Sequence, residues 1–285
     1  MGIGGGGDVV GALAAAALLG DAIVGGITWE RRPVDPIPGP RTLDEIERAE
    51  RLNEAVALVD PQTRGPGGFS FCETHVARAI GVPTVLVDPS PGPRAVAACL
   101  DAACAQLGCG RIVLIDVGGD VLAHGDEPGL ASPLADAVML ACARFLRTPC
   151  IGAVFGAGCD GELTPDEVRA RLDEVGTIGE DALTAEQLDR LETVAEQVPT
   201  EASAMALRCA RGERGKSAIR QGRRTVLLTE LGGVVAWFDP LRAIDTAARL
   251  AAAVQDAASL AEADAILEAR GIRTELAYER EMAQA

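Results

Sequence analysis

Arg111-Ile-Val-Leu-Ile-Asp-Val-Gly-Gly-Asp120 is the stretch that decides the fold. Its apolar residues run without alternation and then stop at an acid and two glycines. A continuous apolar run of strand length reads as a strand buried on both faces, the mark of a parallel sheet covered by helices. The same grammar repeats on either side. Before it lie a helix over 71–80, a strand at Thr84–Val87 and a helix at Pro93–Leu107. After it come a helix over 132–146, a second apolar strand at Cys150–Phe155 and a helix over 164–175. Thr164-Pro-Asp-Glu167 opens that last helix with a capping hydroxyl, Pro in the first turn and two acids. Further out, Val9–Leu19 reads as an Ala-rich helix, 22–29 as a strand, 43–53 as a charged surface helix and 55–59 as a short strand. Proline punctuates a loop over 33–40, and glycine another over 62–70. Alternating strands and helices predict an α/β fold with a doubly wound, mostly parallel sheet over residues 1–165.

Residues 166–285 differ. The segment 177–197 is acidic and helical, and 200–210 is a further helix. The short β runs 225–231 and 233–238 suggest a hairpin or two neighbouring strands, and helices over 240–257 and 260–270 close the chain. No linker separates this helical and short-β part, so it is expected to pack on the same core. Its Ala-rich helices present apolar faces that could pair, which suggests a homodimer.

Composition narrows the function. Across 285 residues, 42 acids against 26 bases leave a formal charge of −16, a field that repels nucleic-acid phosphates. Val9–Leu19 is too short to cross a bilayer, which needs about 20 apolar residues. Met1 leads straight into glycines, unlike the basic start of a signal peptide. The eight cysteines form no CxxC pair and mostly lie in apolar stretches. A reducing, cytoplasmic protein without a structural zinc site follows as the expectation. Walker A, serine-hydrolase and HExxH patterns are absent.

Three segments carry candidate chemistry. Gly2-Ile3-Gly4-Gly5-Gly6-Gly7 matches GxGxxG and opens a helix, whose N-terminal amides bind phosphate. Glu30 lies where a ribose-binding acid of an NAD-type site would sit. Two features oppose that reading: Asp8 brings a negative charge, and only Met1 stands where the fingerprint requires a strand. Either the native start lies upstream or the loop serves another purpose.

Asp116, Asp120, His124 and Asp126 form the second candidate, at the carboxyl end of the most apolar strand, where ligands of open α/β sheets bind. Such a cluster can hold sugar hydroxyls, exchange protons or bind a hard cation such as Mg²⁺. A turn whose acids cap neighbouring backbone is the plainer alternative. Asp160 and Glu162 end the next strand in the same manner and would face this cluster across a crevice. Glu73 and His75, at a helix start, are placed to reach it, although a satisfied histidine is the simpler reading of His75.

The third candidate is basic. Residues 208–224 carry seven bases against the single acid Glu213, including Arg211, Arg214 and Lys216, the chain's one lysine. Arginine forks recognise phosphate, but such a segment equally pairs with the chain's own acids.

Several dispersed motifs also resemble a known family. They are Gly4-Gly-Gly-Gly-Asp8-Val-Val-Gly-Ala-Leu13, Trp29-Glu30, Asp35-Pro-Ile-Pro-Gly-Pro40, Asp116-Val-Gly-Gly-Asp120 and His124-Gly-Asp126. Phe155-Gly-Ala-Gly-Cys-Asp160-Gly-Glu162, Pro199-Thr-Glu-Ala-Ser203 and Phe238-Asp-Pro240 extend the likeness. Together they resemble the domain-of-unknown-function family 1152 of archaeal and actinobacterial proteins. The resemblance implies a Rossmann-like fold with a strand ahead of the glycines, and implies no activity. The expectation is therefore an enzyme acting on a phosphorylated, nucleotide-like or sugar-like small molecule. An NAD(P)-dependent oxidoreductase and a non-catalytic nucleotide sensor are the alternatives.

Overall fold

The computed structural model describes residues 1–284. Ten strands run β1 Gly25–Ile27, β2 Glu50–Arg51, β3 Val56–Val59, β4 Thr84–Val87, β5 Ile112–Val117, β6 Cys150–Phe155, β7 Gly179–Ala182, β8 Gly215–Ile219, β9 Arg224–Leu228 and β10 Val234–Phe238. The α-helices are α1 Val9–Leu19, α2 Cys72–Ile80, α3 Pro93–Leu107, α4 Pro133–Ala141, α5 Pro165–Val175, α6 Ala185–Ala195, α7 Ala202–Ala210, α8 Pro240–Asp245, α9 Arg249–Val254, α10 Leu260–Glu268 and α11 Glu275–Gln284.

The strands form two four-stranded sheets, β1-β4-β3-β2 and β5-β6-β10-β7, and a separate β8-β9 hairpin. Residues 1–3 lie between the two larger sheets. Gly2 N donates to Gly25 O at 2.8 Å, and Ile3 N to Ile115 O at 3.1 Å, with a parallel bridge from Gly2 to Ile115. Residues 1–3 thus stand where a strand is expected ahead of the glycine loop.

Side chains alternate across β5. Ile115 and Val117 join an apolar cluster with α1, α2, α6 and α7, whereas Ile112 and Leu114 join another with α3, α4, α5, α9 and α10. Helices therefore cover both faces, as the unbroken apolar run requires. Asp116 continues the Ile112–Leu114 side into the α4 layer.

The sheets are mixed rather than mostly parallel. β1–β4 and β5–β6 are parallel, but β2–β3, β3–β4, β6–β10 and β7–β10 are antiparallel. β10 starts beside the carboxyl end of β6, where Gly232 meets Cys159 and the Ala157 carbonyl, so it must run back along β6.

Four local expectations also fail. Residues 43–53 form one 3-10 turn at Leu43–Glu45, after which Arg48 adopts a positive φ of 57° and β2 pairs with β3. Leu43, Ile46, Ala49 and Leu52 recur every third residue, which drifts about 60° per step around a helix, so no single apolar stripe exists. The segment 177–197 begins with the polar edge strand β7, held by Trp237 Nε1 donating to Asp181 Oδ2 at 2.7 Å. The runs over 225–231 and 233–238 do not pair with each other: β9 pairs with β8, and β10 lies between β6 and β7. The 240–257 helix breaks between α8 and α9, where Thr246 Oγ1 donates back to Arg242 O.

The apolar faces on which pairing of two chains was expected are covered within the chain. Ala243, Ala247, Ala251, Val254 and Ala263 are buried in the cluster that α4 shares. Among the described residues, no helix is long and apolar enough to cross a membrane.

Candidate functional site

The loops after residues 1–3, β5 and β6 converge at the carboxyl ends of adjoining parallel strands. In the first loop, Gly4 N donates to Asp8 Oδ2 at 2.8 Å and Gly6 N to Trp29 O at 3.0 Å. Ser203 Oγ on α7 donates to Gly7 O at 2.9 Å and clamps the loop from outside. A Cβ on Gly4 would stand 2.7 Å from Asp136 Oδ2 and 2.8 Å from Asp8 Oδ2, and one on Gly6 would collide with the Glu30 carboxylate. These glycines make room for acids.

Six carboxylates form two triads, each with its ligand atoms within 4.8 Å of one another: Asp8, Asp116 and Asp136, then Asp120, Asp160 and Glu162. All six are more than nine-tenths buried. Backbone amides orient the first triad. Asp8 Oδ2 also accepts from Val117 N at 3.4 Å, and Asp116 Oδ2 from Gly119 N at 2.7 Å. Asp136 Oδ1 has no hydrogen-bond partner. In the second triad, Glu162 is anchored by Ala131 N, Ser132 N and Ser132 Oγ at 2.7, 2.8 and 2.5 Å.

Burial dominates the electrostatics and like charges add to it. Desolvation pushes Asp8 up to about 7 against the pull of its amide bonds. It raises Asp116, Asp120 and Asp136 well above the carboxylate range, and mutual repulsion reinforces the rise. Asp160 reaches about 7 through burial and the Glu162 charge. The acids extend further. Glu275 on α11 accepts from Leu134 N and Ala135 N at the start of α4, yet burial pushes it to about 7. Glu73 on α2 is fully buried with both oxygens unpartnered, and burial together with the Glu30 charge raises it strongly.

Arg31 stands among these acids. Its side chain is solvent-accessible, and no carboxylate oxygen lies within 4.0 Å of it among the described residues. Crowding by protein lowers its pKa, but the charges of Glu162, Asp8, Asp120 and Asp160 outweigh this and raise it. Arg220 reaches Glu162 Oε1 at 3.5 Å, and Arg224 donates to Asp160 O and Gly129 O at 3.3 and 3.0 Å.

The expected residues therefore separate. Asp116, Asp120, Asp160, Glu162 and Asp8 come together in one buried cluster at these strand ends. His124 does not join it: Nε2 lies 2.9 Å from Glu174 Oε2, in an outer group with exposed Asp126 and with Glu127. Glu30 accepts from Cys72 N at 2.5 Å and from Cys72 Sγ at 3.3 Å, beneath the glycine loop rather than open to a ribose. Arg211 pairs with Glu192 and Asp189 on α6, Arg214 donates to Cys209 O and Glu213 O, and Lys216 is exposed on β8. Among the described residues, the basic segment meets this cluster through Arg220 and Arg224. His75 is half-buried, and burial with nearby Arg78 and Arg64 lowers its pKa.

Arg31, Asp136 and Glu275 are the members that sequence reasoning missed. Asp136 left one trace, as the lone acid within the apolar helix α4. Shallow depressions beside Pro149, Cys150 and Asp239, at the amino end of β6, gather no comparable groups.

The chain belongs to the family described as protein of unknown function (DUF1152), whose family model matches residues 1–283. No curated protein and no solved structure matches it.

Proposed function

We infer that this family 1152 member is an enzyme acting on a phosphorylated, nucleotide-like or sugar-like small molecule. The ligand sits in the crevice between the glycine loop and the β5 and β6 loops. The observation that carries the reading is Arg31, an accessible and unpaired guanidinium inside a wall of buried carboxyls. An anionic group on Arg31 and Arg220, with hydroxyls on the surrounding acids, uses both halves of that surface. The sheet is read as Rossmann-like and doubly wound. Support comes from residues 1–3 lying between β1 and β5, with chain leaving toward α1 on one side and toward α4 on the other. Ligands of such sheets bind where adjoining strands diverge.

Asp120 is the proton-transfer group in this reading. Burial and its acidic neighbours raise its pKa strongly, which favours the protonated carboxyl over the carboxylate. Such an acid can protonate a leaving oxygen and later reclaim a proton from a hydroxyl. Arg211, Arg214, Lys216 and His124 take no part.

Thermal unfolding with nucleotides, ADP-ribose, sugar phosphates, NAD and NADP, each with and without Mg²⁺, tests the reading. A ligand at a hundredfold excess over its Kd stabilises by about 2.7 kcal/mol, which moves Tm by roughly 5 °C in a chain of this size. Arg31→Ala should abolish that shift while leaving the ligand-free Tm in place. A shift with NAD or NADP alone would favour the oxidoreductase instead. No shift with any member of the panel would overturn the reading.

A further inference from the structure

We propose that Asp8, Asp116 and Asp136 hold one hard divalent cation, Mg²⁺ or Mn²⁺, above Gly4. Three observations converge. The carboxylates of Asp8 and Asp136 meet over the same point, where a Gly4 Cβ would lie 2.8 Å from Asp8 Oδ2 and 2.7 Å from Asp136 Oδ2. Asp136 Oδ1 is buried with no partner in a residue that is 2% exposed, an arrangement that an ionised carboxylate does not sustain without a compensating positive charge. Finally, Asp8 and Asp116 each have one oxygen fixed by backbone amides, which aims the carboxylate and leaves its second oxygen uncommitted.

The donor set selects the ion. Three carboxylates without His or Cys favour Mg²⁺ or Mn²⁺ over zinc. Opposite oxygens around Mg²⁺ stand about 4.2 Å apart, within the 4.8 Å span of this triad. Three protein oxygens leave positions for water and for ligand oxygens, the usual arrangement of Mg²⁺ with phosphates. Asp120, Asp160 and Glu162 are the weaker triad because both Glu162 oxygens already accept strong bonds.

A role for the cation in catalysis rests on the function inferred above, while the binding site stands on its own geometry. With that function, the cation resolves a conflict: an acid-lined crevice repels phosphate unless positive charge is placed between them. Arg31 supplies one part and the cation the other.

Metal-stripped full-length protein titrated with Mn²⁺ at pH 8, followed by loss of the free-ion paramagnetic resonance signal, should take up one equivalent that Mg²⁺ displaces. Asp136→Asn and Asp116→Asn should each weaken uptake by more than about 100-fold, whereas Arg31→Ala should retain it. Circular dichroism in EDTA checks that the variants fold. No Mn²⁺ uptake by the wild type at millimolar concentration, or undiminished uptake by a folded Asp136→Asn protein, overturns the site. Uptake of Mn²⁺ with no phosphorylated ligand bound keeps the site and removes the enzyme reading. A ligand that binds equally well with EDTA and to Asp136→Asn does the reverse.

Discussion

Two groups of buried acids in this chain behave in opposite ways. At the periphery, Glu127 accepts from His124 N and Gly125 N at 2.8 Å each and pairs with Arg171 at 2.9 Å. Asp101 likewise takes the amides of Arg147 and Thr148. Burial alone would raise both, but these partners outweigh it and hold both pKa values below the ordinary range. Around the glycine loop, Asp136 in the triad and Glu73 beneath the loop keep unpartnered oxygens and are pushed far upward. Burial therefore says little about what an acid is for; its partners do. A satisfied buried acid helps to hold the fold, whereas an unsatisfied one costs stability.

The largest expected effect separates the two groups directly. Glu127→Ala leaves Arg171 without its partner and two amides unmet, at a cost of about 3 kcal/mol. Asp136→Asn should be neutral or stabilising in EDTA, because it replaces a carboxyl whose ionised form the site cannot accommodate alone with a neutral isostere. Urea unfolding midpoints measure both. Equal losses would collapse the distinction and make Asp136 a structural acid.

Next in size is the pH dependence. Glu30 and Glu275 hold their protons to about 7 in the folded chain but release them near 4.5 when unfolded. Between those values the folded state binds more protons, so stability falls as pH rises. For the metal-free protein each of the two should contribute on the order of 2 kcal/mol between pH 5 and pH 8. Glu127 and Asp101 act with the opposite sign, since their contribution is lost as pH falls through their depressed folded pKa values. A maximum near pH 5 in urea-unfolding stability would sharpen the comparison, whereas stability rising steadily to pH 8 would break it.

The sequence disclosed one of these groups better than the other. Asp116, Asp120, Asp160 and Glu162 were legible because apolar strands end at them, and strand ends are local signals. β4, α3 and β6 were legible residue for residue for the same reason. Asp136 belongs to the site only because α4 packs on β5, and Glu275 arrives from a helix about 140 positions away, so neither leaves a spacing pattern. The 43–53 segment misled because a period of three resembles a helix over one turn and diverges from it over three. The basic segment misled through charge density alone. Nothing within 208–224 reveals that Asp189 and Glu192 of α6 stand opposite Arg211.

The smallest expected effect concerns those arginines and cuts finest. Arg211 is exposed and paired with two acids, and Arg31 is accessible and paired with none. Exposed ion pairs contribute little to stability, so Arg211→Ala should leave both Tm and ligand response unchanged. Arg31→Ala should also leave the ligand-free Tm nearly unchanged, since it breaks no hydrogen bond or ion pair. It differs only when a ligand is added, where the stabilisation seen in the wild type should vanish. Two substitutions that are silent for folding but unequal for binding would show that, for cations as for acids, the unpaired group marks the site. If Arg211→Ala were instead the one that lost the ligand, the site would lie on the α6–α7 surface and the crevice acids would need another explanation.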